Sequence, residues 1–182
     1  MMKKVCIIGI GLIGGSLAKA INKTHQSEIV FGFGRDKSRL EKALKSNVID
    51  QYSTDIGEAL DGANMVIIAT PVGSYESILK EMKPYISEDM VISDVGSTKV
   101  SVIEAFKAVF DGVLDNFIPA HPIAGKEKSG FEVSDDDLFA NKKVIITPLE
   151  NNNSESIKIL TKMWERVGAE VDFMSAESHD EL

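Results

Sequence analysis

Residues 5–14 read Val5-Cys6-Ile7-Ile8-Gly9-Ile10-Gly11-Leu12-Ile13-Gly14, an apolar run that leads directly into three spaced glycines. The apolar run predicts a strand over Lys4–Ile8 that is buried on both faces, as in a parallel sheet covered by helices. The residues after the turn have helical periodicity, and a helix is predicted over Leu12–Asn22. A Gly-x-Gly-x-x-Gly turn between a strand and a helix is the arrangement that binds the pyrophosphate of a dinucleotide.

Each glycine of this turn has a physical task. Gly9 permits the tight bend, Gly11 lets the backbone approach the phosphates, and Gly14 allows the helix to pack closely on the strand. The helix that starts with Leu12 and Ile13 directs its free N–H groups and the positive end of its dipole towards the anion. Three glycines that bound nothing would weaken the turn and the helix without compensation, so these residues are interpreted as a cofactor site.

Strand and helix patterns alternate along most of the chain, which predicts an α/β fold with a doubly wound, mostly parallel sheet of the Rossmann type. Further strands are predicted over Glu28–Phe33, Met65–Ala69, Met90–Ser93, Phe117–Pro119, Lys143–Thr147 and Glu170–Phe173. Further helices are predicted over Lys37–Ser46, Ser74–Met82, Lys99–Phe110 and Ser154–Val167. One long connection, from about His121 to Asn141, has no periodic element, and loops of this length are often functional.

The composition excludes several classes of protein. The chain has 182 residues, a length that suits one domain, and its 20 Lys+Arg and 28 Asp+Glu give a net charge of −8. This charge disfavours binding to nucleic acid or to an anionic membrane surface. The single cysteine, Cys6, excludes an internal disulfide and a cysteine-based zinc site, and no metal site is predicted. No stretch predicts a membrane span or a signal peptide, so a cytoplasmic protein is expected.

The residues after the second predicted strand bear on the choice of dinucleotide. An NAD site usually has an acid here that binds the ribose, whereas this chain has Gly34 followed by Arg35. The glycine makes room for a 2′-phosphate and the guanidinium can bind it, while Lys37 and Arg39 add positive charge nearby. Asp36 is interpreted as the N-cap of the next helix, although a shift of two residues would place it on the ribose. NADP is therefore preferred over NAD.

Three further motifs follow predicted strands, at the edge of the sheet where ligands bind in open α/β folds. They are Ile68-Ala69-Thr70-Pro71-Val72, Ser93-Asp94-Val95-Gly96-Ser97-Thr98-Lys99 and His121-Pro122-Ile123-Ala124-Gly125-Lys126-Glu127-Lys128-Ser129-Gly130. Together with the glycine turn, this ordered set resembles the prephenate dehydrogenase family, which includes arogenate-using relatives, over essentially the whole chain. The resemblance implies oxidative decarboxylation of prephenate to 4-hydroxyphenylpyruvate in tyrosine biosynthesis, with hydride transfer to NAD(P).

The resemblance also implies catalytic roles. His121 is implied to accept the hydroxyl proton of the substrate, a task that suits a neutral imidazole near physiological pH. Ser97 is implied to orient this histidine and to contact the substrate hydroxyl. Its alternative role, compatible with the first, is the N-cap of the helix over Lys99–Phe110. Glu127 matches a glutamate at the site entrance that influences substrate access.

The substrate and the nicotinamide have further candidate contacts. Lys126 and Lys128 carry positive charge close to His121 in the sequence, so they are candidates to attract the two carboxylates of prephenate. Thr70, Pro71 and Val72 are expected to line the nicotinamide side of the cofactor site.

The last eight residues suggest a second domain. Ser175 is predicted to cap a short helix, and members of the family normally continue into an all-helical domain that forms the dimer and completes the substrate pocket. We therefore expect residues 1–174 to form the dinucleotide-binding domain and residues 175–182 to start the helical dimerisation domain of a homodimeric parent enzyme. No catalytic role is assigned to His179, and the isolated chain is a candidate for an inactive fragment.

Two alternatives remain open at this level. The first is another dehydrogenase built on the same cofactor domain, such as a β-hydroxyacid dehydrogenase or an imine reductase, and the His-Pro-Ile-Ala-Gly stretch argues against it. The second is a dinucleotide-sensing module that binds the cofactor without hydride transfer. Within the family, the sequence does not separate prephenate from arogenate as the substrate.

Overall fold

Six parallel strands form the main sheet, in the order β3-β2-β1-β4-β5-β6. The computed structural model describes residues 1–182. The strands are β1 (Met2–Ile8), β2 (Ser27–Phe33), β3 (Gln51–Ser53), β4 (Met65–Ile68), β5 (Val91–Asp94) and β6 (Phe117–Ile118). The order reverses between β1 and β4, and a ligand-binding crevice is expected at the carboxyl ends of the strands at such a point. The predicted doubly wound α/β fold is confirmed.

Helices cover both faces of this sheet, and none of them is long and apolar enough to cross a membrane. They are α1 (Leu12–Lys23), α2 (Lys37–Lys45), α3 (Ile56–Leu60), α4 (Tyr75–Met82), α5 (Val100–Phe110), α6 (Ser154–Arg166) and α7 (Ala176–Asp180). Short 3₁₀ turns occupy Val72–Ser74, Lys83–Tyr85 and Phe131–Val133. The sequence did not predict β3 or α3, because elements of three and five residues carry too little periodicity.

The apolar run of β1 is buried on both sides because successive side chains of a strand point to opposite faces. Val5 and Ile7 belong to the core that includes α1 and α6, whereas Cys6 and Ile8 belong to the core that includes α3, α4 and α5. Burial raises the pKa of the Cys6 thiol to about 12, so this cysteine is an inert part of the core.

A second, three-stranded sheet was not predicted. It consists of β7 (Ala120–Pro122), β8 (Lys143–Ile146) and β9 (Glu170–Phe173), with β7 antiparallel to β8 and β8 parallel to β9. The sequence patterns of β8 and β9 predicted strands of the main sheet, and their placement in a separate sheet corrects that expectation. Pro119 lies between β6 and β7, and its missing N–H cannot continue the parallel ladder, so the chain turns away there.

The long connection after β7 is irregular but anchored to α1. Contrary to the sequence prediction, its first two residues, His121 and Pro122, belong to β7. Further along, the backbone N–H of Asp135 donates to the Ser16 hydroxyl at 3.0 Å, and Lys19 Nζ donates to the Ser134 carbonyl at 3.1 Å. This connection therefore lies beside the glycine turn and carries His121 to the same edge of the sheet.

Candidate active site

A cleft of about 750 Å³ lies at the carboxyl edge of the main sheet. Its walls come from the turns after β1, β2, β4 and β5 and from β7. The cleft brings together most of the residues that the sequence analysis singled out, namely Gly9, Gly11, Leu12, Ile13, Gly34, Arg35, Asp36, Thr70, Pro71, Val72, Ser97 and His121. Residues far apart in the chain, such as Gly9 and His121, thus share one cavity, and its volume suits a cofactor or ligand.

The glycine turn has the geometry of a phosphate site. Gly9 has a φ of 96°, a conformation that favours glycine, and a Cβ there would lie 2.9 Å from Thr70 Cγ2. A Cβ at Gly14 would lie only 2.0 Å from the Gly9 carbonyl oxygen, so this glycine is required for packing. At Gly11, by contrast, a Cβ would meet no protein atom within 4 Å. The space over Gly11 is therefore open to a ligand at the N-terminus of α1, where no side chain caps the free N–H groups.

The different surroundings of Gly11 and Gly14 predict different consequences of adding one methyl group. We expect Gly11→Ala to fold normally but to weaken dinucleotide binding by roughly tenfold, or about 1.4 kcal/mol, because the methyl group occupies phosphate space. Gly14→Ala should instead destabilise the fold by about 1–3 kcal/mol through overpacking. Thermal unfolding and calorimetric titration with NADPH and NADH test both variants. Equal loss of stability in the two variants would contradict this assignment.

The end of the cleft beside β2 is lined by two arginines, Arg35 and Arg39. Arg35 is exposed, and its guanidinium lies 2.8 Å from Glu81 Oε1. Asp36 caps α2 as predicted, since its Oδ1 accepts from the backbone N–H of Arg39 at 3.1 Å. A second cavity of about 390 Å³ adjoins this region and is lined by residues that include Gly34, Arg35, Ser77 and Ile78.

Thr70 provides a second polar feature of the cleft wall. Its Oγ1 is buried and has no hydrogen-bond partner within the protein, although the residue lines the cleft. A buried hydroxyl without a partner is costly, so a polar group of a ligand is the natural partner. This unpartnered hydroxyl, the open space over Gly11 and the uncapped helix together fit a dinucleotide.

His121 lies in the wall of the cleft and is partly buried. Burial lowers the pKa of His121 to about 4 from its ordinary 6.5, and the positive charge of Lys99 contributes in the same direction. The imidazole is therefore neutral at physiological pH and can accept a proton. Its Nδ1 lies 2.8 Å from Nε2 of His179, which reaches it from α7.

A buried ion pair holds the backbone on both sides of the cleft. Lys99 and Asp94 have no exposed side-chain surface and form a salt bridge. Lys99 Nζ donates to the Ala120 carbonyl at 2.7 Å, and Asp94 Oδ1 accepts from the Ala120 N–H at 3.1 Å. Asp94 Oδ2 also accepts from the Gly96 N–H at 2.8 Å. The pair thus holds the backbone of Ala120, which precedes His121, and the backbone of Gly96, which precedes Ser97.

Ser97 lies in the cleft wall but does not cap α5, which corrects that part of the prediction. The helix begins at Val100, and the carboxylate of Asp180 accepts from the backbone N–H groups of Lys99 at 2.8 Å and Val100 at 2.9 Å. A carboxylate suits this position because it satisfies free N–H groups and complements the helix dipole. Ser97 therefore does not act as the N-cap of α5.

The sequence matches the family described as "Prephenate dehydrogenase, nucleotide-binding domain" over residues 17–173. The chain belongs to the prephenate dehydrogenase family. Similar proteins include the cyclohexadienyl dehydrogenase of Zymomonas mobilis, 33% identical over 100% of this chain and 61% of that protein. The prephenate dehydrogenase of Bacillus subtilis is 34% identical over 99% of this chain and 48% of that protein. The chain therefore spans 48–61% of the length of these two relatives.

Solved structures of the prephenate dehydrogenase family have the same fold. A prephenate dehydrogenase from Aquifex aeolicus in complex with hydroxyphenyl propionate and NAD⁺ has a TM-score of 0.91 and 34% identity, covering 99% of this chain and 62% of that one. The arogenate dehydrogenase of Synechocystis has a TM-score of 0.89 and 28% identity, covering 98% and 62%. The NAD⁺ complex and the match to a nucleotide-binding domain support a pyridine nucleotide as the cofactor, and the relatives are oxidoreductases.

Not every residue implied by the family resemblance lies in the cleft. Glu127 and Lys128 are exposed on the loop after β7 and do not line the cavity. Lys126 is also outside it, and its Nζ lies 3.2 Å from Asp135 Oδ2. The structure therefore does not bring these three residues together with His121, although Ser129 and Gly130 of the same loop do reach the cleft.

Sequence reasoning assigned no role to four residues that surround His121 and Ser97, namely Asp94, Lys99, His179 and Asp180. A signal existed for Asp94, because a carboxylate at the end of an apolar strand needs a partner when it is buried. No comparable signal marks His179, which is 58 residues away from His121.

Proposed function

We propose that the protein carrying this chain oxidises prephenate to 4-hydroxyphenylpyruvate and carbon dioxide, with arogenate as the alternative substrate. The observation that carries the proposal is His121, a neutral imidazole that lines the same cleft as Ser97 and the glycine turn. Oxidation of a ring alcohol needs a group that accepts the hydroxyl proton beside the hydride acceptor, and this arrangement meets that need.

When bound in this cleft, a pyridine nucleotide would supply the hydride acceptor for the carbon that carries the ring hydroxyl. His121 Nε2 accepts the hydroxyl proton as that carbon gains carbonyl character, while Ser97 holds the hydroxyl in place. The bond to the ring carboxylate breaks, carbon dioxide leaves, and the electron pair completes the aromatic ring. His121 then returns the proton to the phenolic oxygen, so the reaction releases no proton overall.

A direct assay tests the proposed substrate. The assay uses the full-length protein that carries this chain. Prephenate and arogenate are each supplied with NAD and NADP, and the absorbance of the reduced cofactor is followed. Turnover of either substrate supports the proposal. Tight cofactor binding without hydride transfer from either substrate would instead indicate a dinucleotide-sensing module.

We further propose that residues 1–174 are the cofactor domain and that residues 175–182 begin a helical domain that completes the substrate pocket and forms a homodimer. The relatives are longer than this chain, since it covers 61% and 48% of two of them. Contacts to the substrate carboxylates then come in part from that second domain. Because Lys126 and Lys128 lie outside the cleft, their proposed role is to attract the anionic substrate from a distance, with Glu127 at the entrance.

For the cofactor we propose a preference for NADP over NAD. Gly34 and Arg35 border the cleft where an acid would bind the ribose, and Asp36 is engaged in capping α2. Glu81 is the present partner of Arg35, and a 2′-phosphate would compete with it for the guanidinium.

Replacing Arg35 with Ala should weaken NADPH binding by roughly 10–100-fold, the equivalent of about 1.5–3 kcal/mol for a charged hydrogen bond, and leave NADH binding nearly unchanged. Calorimetric titration of the variant with both reduced cofactors measures this difference. Lys45→Ala, which removes an exposed positive charge from the far end of α2, is the matched control. Equal losses for the two cofactors would exclude Arg35 as the residue that selects NADP.

A further inference from the structure

We infer that His179 and Asp180 are positioning residues that place a proton on Nδ1 of His121 and leave Nε2 free to accept one. The inference rests on the proposed function for its catalytic meaning, but the proton positions are measurable without any reaction. It concerns three side chains in a row, Asp180, His179 and His121, which join α7 to β7.

The geometry defines a continuous chain of hydrogen bonds. His179 is buried, with 4% of its side chain exposed, so its ring nitrogens depend on protein partners. Its Nδ1 lies 2.7 Å from Asp180 Oδ1, and its Nε2 lies 2.8 Å from His121 Nδ1. Both nitrogens of this ring are therefore engaged, one with a carboxylate and one with the candidate catalytic histidine.

The carboxylate of Asp180 determines which atom donates in each of these hydrogen bonds. Burial would raise the pKa of Asp180, but hydrogen bonds from the Lys99 N–H, the His179 ring and the Val100 N–H hold it below its usual range. An ionised carboxylate only accepts hydrogen bonds, so Nδ1 of His179 must carry a proton. In neutral His179 the other nitrogen, Nε2, then has a lone pair, and Nδ1 of His121 is the donor to it. His121 is neutral as well, so its Nε2 has no proton.

This placement is what the proposed reaction requires. With its proton on Nδ1, His121 presents a lone pair to the hydroxyl of a substrate in the cleft. When Nε2 takes up that proton, the positive charge on His121 is paired through His179 with the carboxylate of Asp180. The row Asp180, His179 and His121 resembles other arrangements of an acid and a histidine, in which the carboxylate orients the ring and stabilises the imidazolium.

Asp180 also links this row of side chains to the start of α5. The same carboxylate that binds His179 accepts from the backbone N–H groups of Lys99, which precedes α5, and of Val100, its first residue. Since α5 follows the turn that carries Ser97, Asp180 connects the helix that holds His179 to the loop beside the cleft. A displacement of α7 would therefore disturb both the contact of His179 with His121 and the contact of Asp180 with the start of α5.

Nitrogen-15 NMR tests the proton positions directly. The chain has three histidines, so long-range proton–nitrogen correlation spectra at about pH 8, above the ordinary imidazole pKa, resolve each ring. We expect His121 and His179 to be protonated on Nδ1, with the exposed His25 as an internal reference. A proton on Nε2 of His121 in the unsubstituted chain would overturn the inference.

Variants separate positioning from simple packing. His179→Phe keeps an aromatic ring but removes the acceptor, and we expect His121 to move its proton to Nε2. Glu177→Gln removes a negative charge from an exposed position on the same helix and should leave the spectra of both histidines unchanged. If His121 keeps its proton on Nδ1 in His179→Phe, His179 does not set the tautomer.

Turnover measurements connect the proton position to function. In the protein that carries this chain, His179→Phe should lower turnover by roughly 10²-fold with little change in cofactor affinity. Normal turnover in that variant would overturn the positioning role even if the spectra are as expected. If the unsubstituted protein oxidises neither prephenate nor arogenate, the proposed function fails, and the spectra alone then decide the proton positions.

Discussion

Replacement of His121 with Asn is expected to lower turnover by roughly 10²–10⁴-fold, the range for loss of a general base. The reason is that Asn can still hydrogen-bond to the substrate hydroxyl but cannot accept its proton. Cofactor affinity should stay near normal, because the glycine turn and the Arg35 region do not depend on this side chain. Initial rates with the better of prephenate and arogenate, and calorimetric titration with reduced cofactor, measure the two effects.

The low pKa of His121 predicts a second effect of His121→Asn, a change in the pH dependence of kcat/KM. Since burial lowers this pKa to about 4, the imidazole stays unprotonated well below its ordinary value of 6.5. The acid limb of kcat/KM that belongs to His121 should therefore fall as the pH drops towards 4, and it should be missing from the Asn variant. His25→Asn, a change at an exposed histidine, is the control. A fall in turnover of less than tenfold in His121→Asn would remove His121 from the catalytic role.

Replacement of Lys99 with Met is expected to cost about 3–5 kcal/mol of unfolding free energy, the typical loss when one partner of a buried ion pair is removed. The substitution leaves the fully buried carboxylate of Asp94 without its cation and the Ala120 carbonyl without its donor. Urea unfolding followed by circular dichroism measures the change, and a lower midpoint with an unchanged slope would identify a loss of stability.

Two companion variants show whether the unpaired charge is the cause. Adding Asp94→Asn to Lys99→Met removes the uncompensated charge, so the double variant should be more stable than Lys99→Met alone. Lys107→Met removes an exposed lysine from α5, the helix that follows Lys99. The partner of Lys107 is Glu104, and the substitution should change stability by about 0.5 kcal/mol or less. Losses of equal size at Lys99 and Lys107 would contradict the buried-pair interpretation.

The conformation of the glycine turn and its place beside the cleft were predictable from the sequence because their determinants are local. Three glycines between an apolar strand and a helix impose a tight turn, and the structure shows the expected positive φ at Gly9, open space at Gly11 and close packing at Gly14. The capping role of Asp36 was predictable for the same reason, since the N-cap and the N–H groups that it accepts lie within three residues of each other.

The surroundings of His121 were not predictable in this way. The capping role predicted for Ser97 was wrong, because Asp180, a residue 80 positions after Val100, occupies the N-terminus of α5. Local propensity favours serine as an N-cap, but a carboxylate delivered from α7 satisfies two N–H groups at once and excludes that role. The separate sheet of β7, β8 and β9 could likewise not be predicted from the sequence, since strand periodicity does not reveal which neighbour a strand will pair with.

The sequence by itself determined the parallel α/β fold, the glycine turn and the short list of polar residues at the carboxyl ends of the strands. These features depend on periodicity and on backbone conformations that neighbouring residues impose on one another. Only the tertiary structure decided what each polar group contacts: Lys99 with Asp94 and Ala120, and Asp180 with His179 and α5. The physical reason is that pKa values and proton positions depend on burial and on charges within a few ångströms, which chain folding brings together from residues far apart in the sequence.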